Sequence, residues 1–151
     1  MDTQRENTII ASINKHFGFL LDAGYRLGII RQTGKMGCWD VNLESEELVF
    51  RLISDRGEVF LTLSPFGKEC WIGLDIAIFF VTDEKELIPA FEGDLFHDED
   101  KQFARLAQPL RKYFNNIKSV FGQDFDMHKD ELLMLRKKMN KLPIKRFMDE
   151  R

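Results

Sequence analysis

Leu48-Val-Phe-Arg-Leu-Ile-Ser-Asp-Arg-Gly-Glu-Val-Phe-Leu-Thr-Leu63 reads as a β-hairpin written around the turn Asp55-Arg56-Gly57-Glu58. Apolar and polar residues alternate on both sides of that turn, the period of a strand with one buried face. With Arg56-Gly57 as the tip, Leu52 faces Leu61 and Phe50 faces Leu63, while Arg51 faces Thr62 and Ile53 faces Phe60. A slip of one residue would set Arg51 against Leu63 and mix the two faces, which burial of one side forbids. Asp55 opposite Glu58 is a like-charge pair, and its repulsion predicts a four-residue loop rather than a tight two-residue turn.

Working outward toward the N-terminus, Trp39, Val41 and Leu43 alternate with Cys38, Asp40, Asn42 and Glu44, a second half-buried strand. Before it, Tyr25, Leu27 and Ile29 alternate with Arg26, Gly28 and Ile30, and a turn follows at Thr33-Gly-Lys-Met-Gly37. Ile9, Ile10, Ile13, Phe17, Leu20 and Leu21 recur at helical spacing, so Arg5 to Leu21 reads as an amphipathic helix closed by Asp22-Ala-Gly24. On the C-terminal side, Trp71 to Val81 suits either a fifth strand or a short buried helix, with helix favoured from Leu74. A polar stretch, Asp83 to Glu92 around Pro89, and a loop through Gly93-Asp-Leu-Phe-His-Asp98 lead to a longer helix. Its core face is Phe103, Leu106, Leu110, Phe114, Ile117 and Phe121, Gly122 ends it, and Pro109 predicts a kink or a break near Gln108. A last helix over Asp126 to Asn140 carries Leu132, Leu133, Leu135 and Met139.

The fold class is therefore α+β: an N-terminal helix, a four-stranded antiparallel meander, then C-terminal helices packed on one face of the sheet. A single domain is expected over 1–140, followed by a basic, frayed tail over 141–151. A chain of 151 residues buries about two-thirds of its unfolded surface and needs no staples. Its fourteen Phe predict aromatic layers between sheet and helices. The two cysteines have no C-x-x-C spacing, and Met-Asp-Thr-Gln-Arg-Glu-Asn lacks the order of a secretory signal, so a reduced, cytoplasmic setting is expected. The longest apolar run, Ile76 to Val81, is far short of the ~20 residues that cross a membrane.

No motif assigns a catalytic residue, a cofactor or a metal. Gly28 and Gly34-Lys35 miss the phosphate-loop spacing, and Met36 stands where a hydroxyl should hold magnesium. His97-Asp-Glu-Asp100 lacks calcium-loop spacing and reads instead as acidic capping ahead of a helix. His16, His97 and His128 fall on three different elements, and Cys38 in a strand has no nearby base. Lys129, Arg136, Lys137, Lys138, Lys141, Lys145 and Arg146 make the C-terminal part basic: from Lys129 onward eight Lys/Arg stand against four Asp/Glu, leaving −7 of the net −3 on residues 1–128. No aromatic platform interleaves that basic stretch, which argues for a solvated helix face over nucleic-acid binding.

The second face of the sheet is the candidate binding site: Arg26, Asp40, Asn42, Glu44, Arg51, Ile53, Phe60 and Thr62, with Ile30 beside them. Charges ringed around apolar groups suit a protein interface, where the apolar centre supplies affinity and the charges selection. The competing reading is that the C-terminal helix covers Ile53 and Phe60 as core.

Phe17-Gly-Phe-Leu-Leu21 with Gly24-Tyr25, then Leu52, Asp55-Arg-Gly57, Val59-Phe-Leu61 and Trp71 before an apolar helix, resemble small, uncharacterised bacterial α+β proteins, some of them predicted immunity proteins of polymorphic toxin systems. The resemblance spans Ile13 to Phe80. It implies a cytoplasmic, non-catalytic protein that neutralises a cognate toxin by occupying its active surface. An acidic body suits a basic toxin domain; the basic C-terminal stretch departs from that picture. The alternatives are a nucleic-acid-associated accessory protein using that stretch, and an enzyme whose site is assembled in space.

Overall fold

A computed structural model describes residues 1–34, 37–82 and 98–149, with residues 140–149 as backbone alone. The elements run α1 (Thr3–Asp22), β1 (Arg26–Leu27), β2 (Arg31–Gln32), β3 (Trp39–Glu44), β4 (Leu48–Asp55), β5 (Glu58–Pro65), β6 (Ile72–Gly73), α2 (Leu74–Thr82), α3 (Glu99–Phe121) and α4 (Phe125–Asp149). Lys35 and Met36 of the expected turn, the polar stretch Asp83 to Glu92 and the loop from Gly93 to His97 lie outside the described residues.

The class is α+β with an antiparallel sheet, but the sheet has six strands, not four: its order is β1-β3-β4-β5-β6, with β2 also paired to β3. One of the two extra strands arises because an expected strand is interrupted, giving β1 and β2. Arg26 pairs with Glu44 and Leu27 with Leu43, whereas Arg31 pairs with Asp40. Gly28, Ile29 and Ile30 thus span the same interval as Val41 and Asn42, the extra residue of a β-bulge. Gly28 donates its N–H to the Asn42 carbonyl at 2.8 Å, and a Cβ there would lie 3.3 Å from that oxygen. Ile29 is the residue squeezed out, 83% exposed. The bulge shifts every side chain after it, so Ile30 packs against the core instead of joining the second face, and Arg31 takes the place beside Asp40. The remaining addition is β6, where Ile72 and Gly73 pair with Leu63 and Thr62 before the chain turns into the helix expected from Leu74.

The hairpin register is the expected one: Leu52 opposite Leu61, Phe50 opposite Leu63, Arg51 opposite Thr62 and Ile53 opposite Phe60. Its turn is not the expected four-residue loop. Asp55 pairs with Glu58, and Arg56 (φ 50°) and Gly57 (φ 89°) both take positive φ, as a type I′ turn requires. Asp55 is exposed and takes a 3.3 Å contact from Arg56 Nε, so the like-charge repulsion is screened and too weak to open the turn.

One face of the sheet is core. Trp39, Val41, Leu43, Phe50, Leu52, Val59, Leu61, Leu63 and Ile72 are buried there. Aromatic rings join this layer to the helices: Phe103 of α3 packs edge-on against Trp39 (6.1 Å) and Phe17 of α1 (5.9 Å), and Phe114 sits against Tyr25 and Phe50. Helix α3 touches α1, α2 and β5; α4 packs on α2 and α3. Of the kink or break expected at Pro109, the break does not occur: α3 runs on through it, and Leu106, Ala107 and Leu110 around it are all buried. Helix α4 begins at Phe125 and its backbone is helical to Asp149, past the end expected at Asn140.

One buried polar side chain ties the layers together. Gln102 of α3, fully buried, accepts from the Val59 N–H (2.7 Å) and donates to the Gly57 carbonyl (2.8 Å). Strand β6 reaches only as far as Thr62, so Gln102 satisfies the outer edge of β5 where no strand does.

Candidate protein-binding face of the sheet

The register lays the second face out in rows across the strands. Arg31, Asp40, Ile53 and Phe60 form one; Asn42, Arg51, Thr62 and Gly73 the next; Arg26, Glu44, Val49 and Ser64 the third. All eight residues expected on this face therefore share it, joined by Arg31, which the bulge conceals from pattern reading. Continuing the β5–β6 pairing by one residue sets Trp71 opposite Ser64, on this side of the sheet.

The polar groups are ordered by one another. Arg31 Nε donates to Asp40 Oδ1 at 2.8 Å, Arg51 Nε donates to Asn42 Oδ1 at 2.9 Å, and Asn42 Nδ2 donates to Glu44 Oε1 at 3.4 Å. The Arg51 guanidinium lies over the Trp71 ring, 3.9 Å from its centroid. Among them Ile53 is half-buried and Phe60 is 42% exposed. Helix α4 does not lie among the principal neighbours of this face; it reaches the sheet region through Arg136, whose Nη1 donates to the Trp71 carbonyl at 2.9 Å. At the hairpin tip, burial raises the Glu58 carboxyl above its ordinary range, opposed by Arg105 and assisted by Asp55.

The groups considered for chemistry fall elsewhere. Cys38 Sγ donates to Asp55 Oδ1 at 3.5 Å beside the hairpin tip. His16 lies on α1, where it and Ser12 both bond the same oxygen of Asp100, at 3.0 and 2.6 Å, at the edge of a cleft of about 660 Å³ lined by Arg5, Ser12, Lys15, Asp98, Glu99 and Asp100. A serine nucleophile needs the imidazole as its own acceptor, with the carboxylate behind it. Here the carboxylate is in the middle, and the trio fastens α1 to α3. The Ser12 hydrogen bond, with His16 and Lys15 adding to it and slight burial opposing, holds Asp100 below the usual carboxylate range. Glu99 serves the same junction, bonded to Arg5 and accepting from Trp39 Nε1 at 2.8 Å. Asp98 caps α3 by accepting from the Lys101 N–H at 3.1 Å. Among the described residues no group of His, Cys, Asp and Glu could hold a metal ion, and His97 lies outside them.

Of the basic C-terminal residues, Lys129, Lys137 and Lys138 are exposed, and Arg136 is engaged with Trp71. The side chains of Lys141, Lys145 and Arg146 lie outside the described residues. Among the described residues no helix is long and apolar enough to cross a membrane. Comparison with known proteins gives no match: no family model, no curated protein and no solved structure matches this chain.

Proposed function

We propose that this chain is a non-catalytic protein-binding module that engages its partner through the second face of the sheet. The observation that carries the reading is Phe60, an aromatic ring 42% exposed beside Ile53 and framed by side chains that hold one another in place. An apolar centre inside an ordered polar rim supports docking of a protein surface, since little side-chain freedom is left to lose on binding. Within this reading, the resemblance to immunity proteins suggests the partner class: a toxin domain in the same bacterial cytoplasm, neutralised by occlusion.

The test compares the intact protein with the double variant Ile53→Ser, Phe60→Ser, after thermal melts confirm that both fold. A partner recovered from the host should be retained by the first and lost by the second. For the immunity reading, that partner should be the C-terminal domain of a larger toxin, and its toxicity should be suppressed stoichiometrically by the intact chain alone. A partner that the double variant holds equally well would show the face to be wrong; one with no toxicity would remove the immunity reading and leave the module.

A further inference from the structure

Arg51 is the side chain on this face that is held ready and left unfinished. Its guanidinium carbon rests over the Trp71 ring, 3.9 Å from the centroid, and its Nε is committed to Asn42 at 2.9 Å. The supports are themselves supported: Asn42 is oriented by Glu44, and the Trp71 backbone by Arg136. The terminal nitrogens Nη1 and Nη2 have no acceptor among the described residues. Arg31, by contrast, is already paired with Asp40.

A guanidinium held over a ring and at Nε presents its two terminal nitrogens as a fork, the geometry that matches a carboxylate bidentately. The contact that immobilises it also removes most of the entropy cost of pairing. In the adjacent row stand Ile53 and the exposed Phe60, so an apolar contact lies next to the fork. We infer that Arg51 is the anchor for a carboxylate of the protein partner, an acidic side chain flanked by an apolar one. This rests on the second face being a protein interface, and it reverses the sign suggested by the overall acidity. A phosphodiester chain offers the same oxygens at every unit, but among the described residues the face beside Arg51 has no row of free cations to follow it, since Arg31 is held by Asp40 and Arg26 stands opposite Glu44. A single carboxylate needs only the one fork.

The experiment selects a random peptide display library on the full-length protein, then measures individual peptides against Arg51→Met, Arg51→Lys and Phe60→Ser. Selected peptides should share one Asp or Glu at a constant spacing from an apolar residue. Changing that acid to its amide, or Arg51 to Met, should weaken binding by roughly tenfold or more, the size of a charged hydrogen-bonded pair, and Arg51→Lys should not restore it. Should Arg51→Met fail to fold, the Arg51 Nε–H resonance of the unaltered protein serves instead: it should shift with the acidic peptide and stay still with its amide. Peptides without an acidic position, or acidic ones bound equally by Arg51→Met, overturn the anchor; if Phe60→Ser still releases them, the face survives and only the anchor falls. No selected peptide, peptides indifferent to all three variants, or peptides displaced by a mixed-sequence single-stranded oligonucleotide at matching concentration overturn both.

Discussion

Replacing Gln102 by Leu keeps the volume in the core and removes one acceptor and one donor. The Val59 N–H, in a residue with no exposed surface, would lose its side-chain acceptor among the described residues, Gln102 Oε1 at 2.7 Å. A buried donor left unsatisfied costs about 1–3 kcal/mol. The Gly57 carbonyl belongs to a half-buried turn residue and can recover water, so its lost bond counts for about 0.5–1.5 kcal/mol. Together the substitution should destabilise the fold by roughly 2–4 kcal/mol, or about 5–15 °C in Tm for a chain of this length. Thermal melts give the first number. Amide hydrogen exchange gives the sharper one: Val59 should lose protection beyond the global loss, while Leu61, whose neighbourhood is unaltered, should follow the global change only. A variant that melts within a degree or so of the parent, with Val59 equally protected, would refute the view that Gln102 completes the edge of β5.

Arg56→Asn should stabilise by about 0.5–1 kcal/mol, since Asn tolerates the positive φ of 50° better and the exposed Arg56–Asp55 contact contributes little; a lower Tm would contradict the type I′ assignment. Asp100, held below its ordinary value of 3.8, contributes stability that is present above that value and lost as pH falls through the folded one; Ser12→Ala should flatten this acid limb in denaturant titrations, and an unchanged limb would show the Ser12 bond to be incidental. Glu58 has the opposite sign: its raised folded value means the contribution is complete below 4.5 and lost as pH rises through the folded value. Glu58→Gln should therefore be at least as stable as the parent at neutral pH, and a clear loss there would mean that its attraction to Arg105 outweighs burial.

The hairpin was legible because one face of it is buried: Leu52, Phe50, Leu61 and Leu63 can meet in only one register. The onset of α2 and the aromatic packing followed from the same pattern. What pattern could not show is where a strand gains a residue. Ile29 and Ile30 are both apolar, so alternation alone cannot tell which one is squeezed out, yet that choice decides whether Ile30 or Arg31 stands beside Asp40. The turn is decided by Arg56-Gly57, whose glycine accepts positive φ without cost, and not by the exposed like-charge pair Asp55 and Glu58. Gln102 carries no apolar signal, yet its spacing of four from Leu106 and eight from Leu110 puts it on the buried stripe of α3. The Arg51–Trp71 contact joins β4 to the residue just before β6, a strand that is not its neighbour, and only the full register brings them together.

That register also changes what the chain's acidity means for recognition. Net charge is a property of the whole surface, whereas an interface responds to groups within about a Debye length, roughly 8 Å at physiological salt. On the second face Asp40 is neutralised by Arg31, and Glu44 stands opposite Arg26 and accepts from Asn42. Asp40→Lys with Glu44→Lys would therefore break an internal ion pair and loosen Asn42, and so Arg51, before any partner arrived. A loss of binding in that variant would not reveal the partner's sign. Exchanging the pair as a unit, Asp40→Arg with Arg31→Asp, keeps an ion pair across β2 and β3 and inverts only its polarity. A partner that reads local charge at this row must respond to the exchange; one anchored on Arg51 must still depend on that guanidinium afterwards, because its supports, Asn42 and Trp71, have not changed.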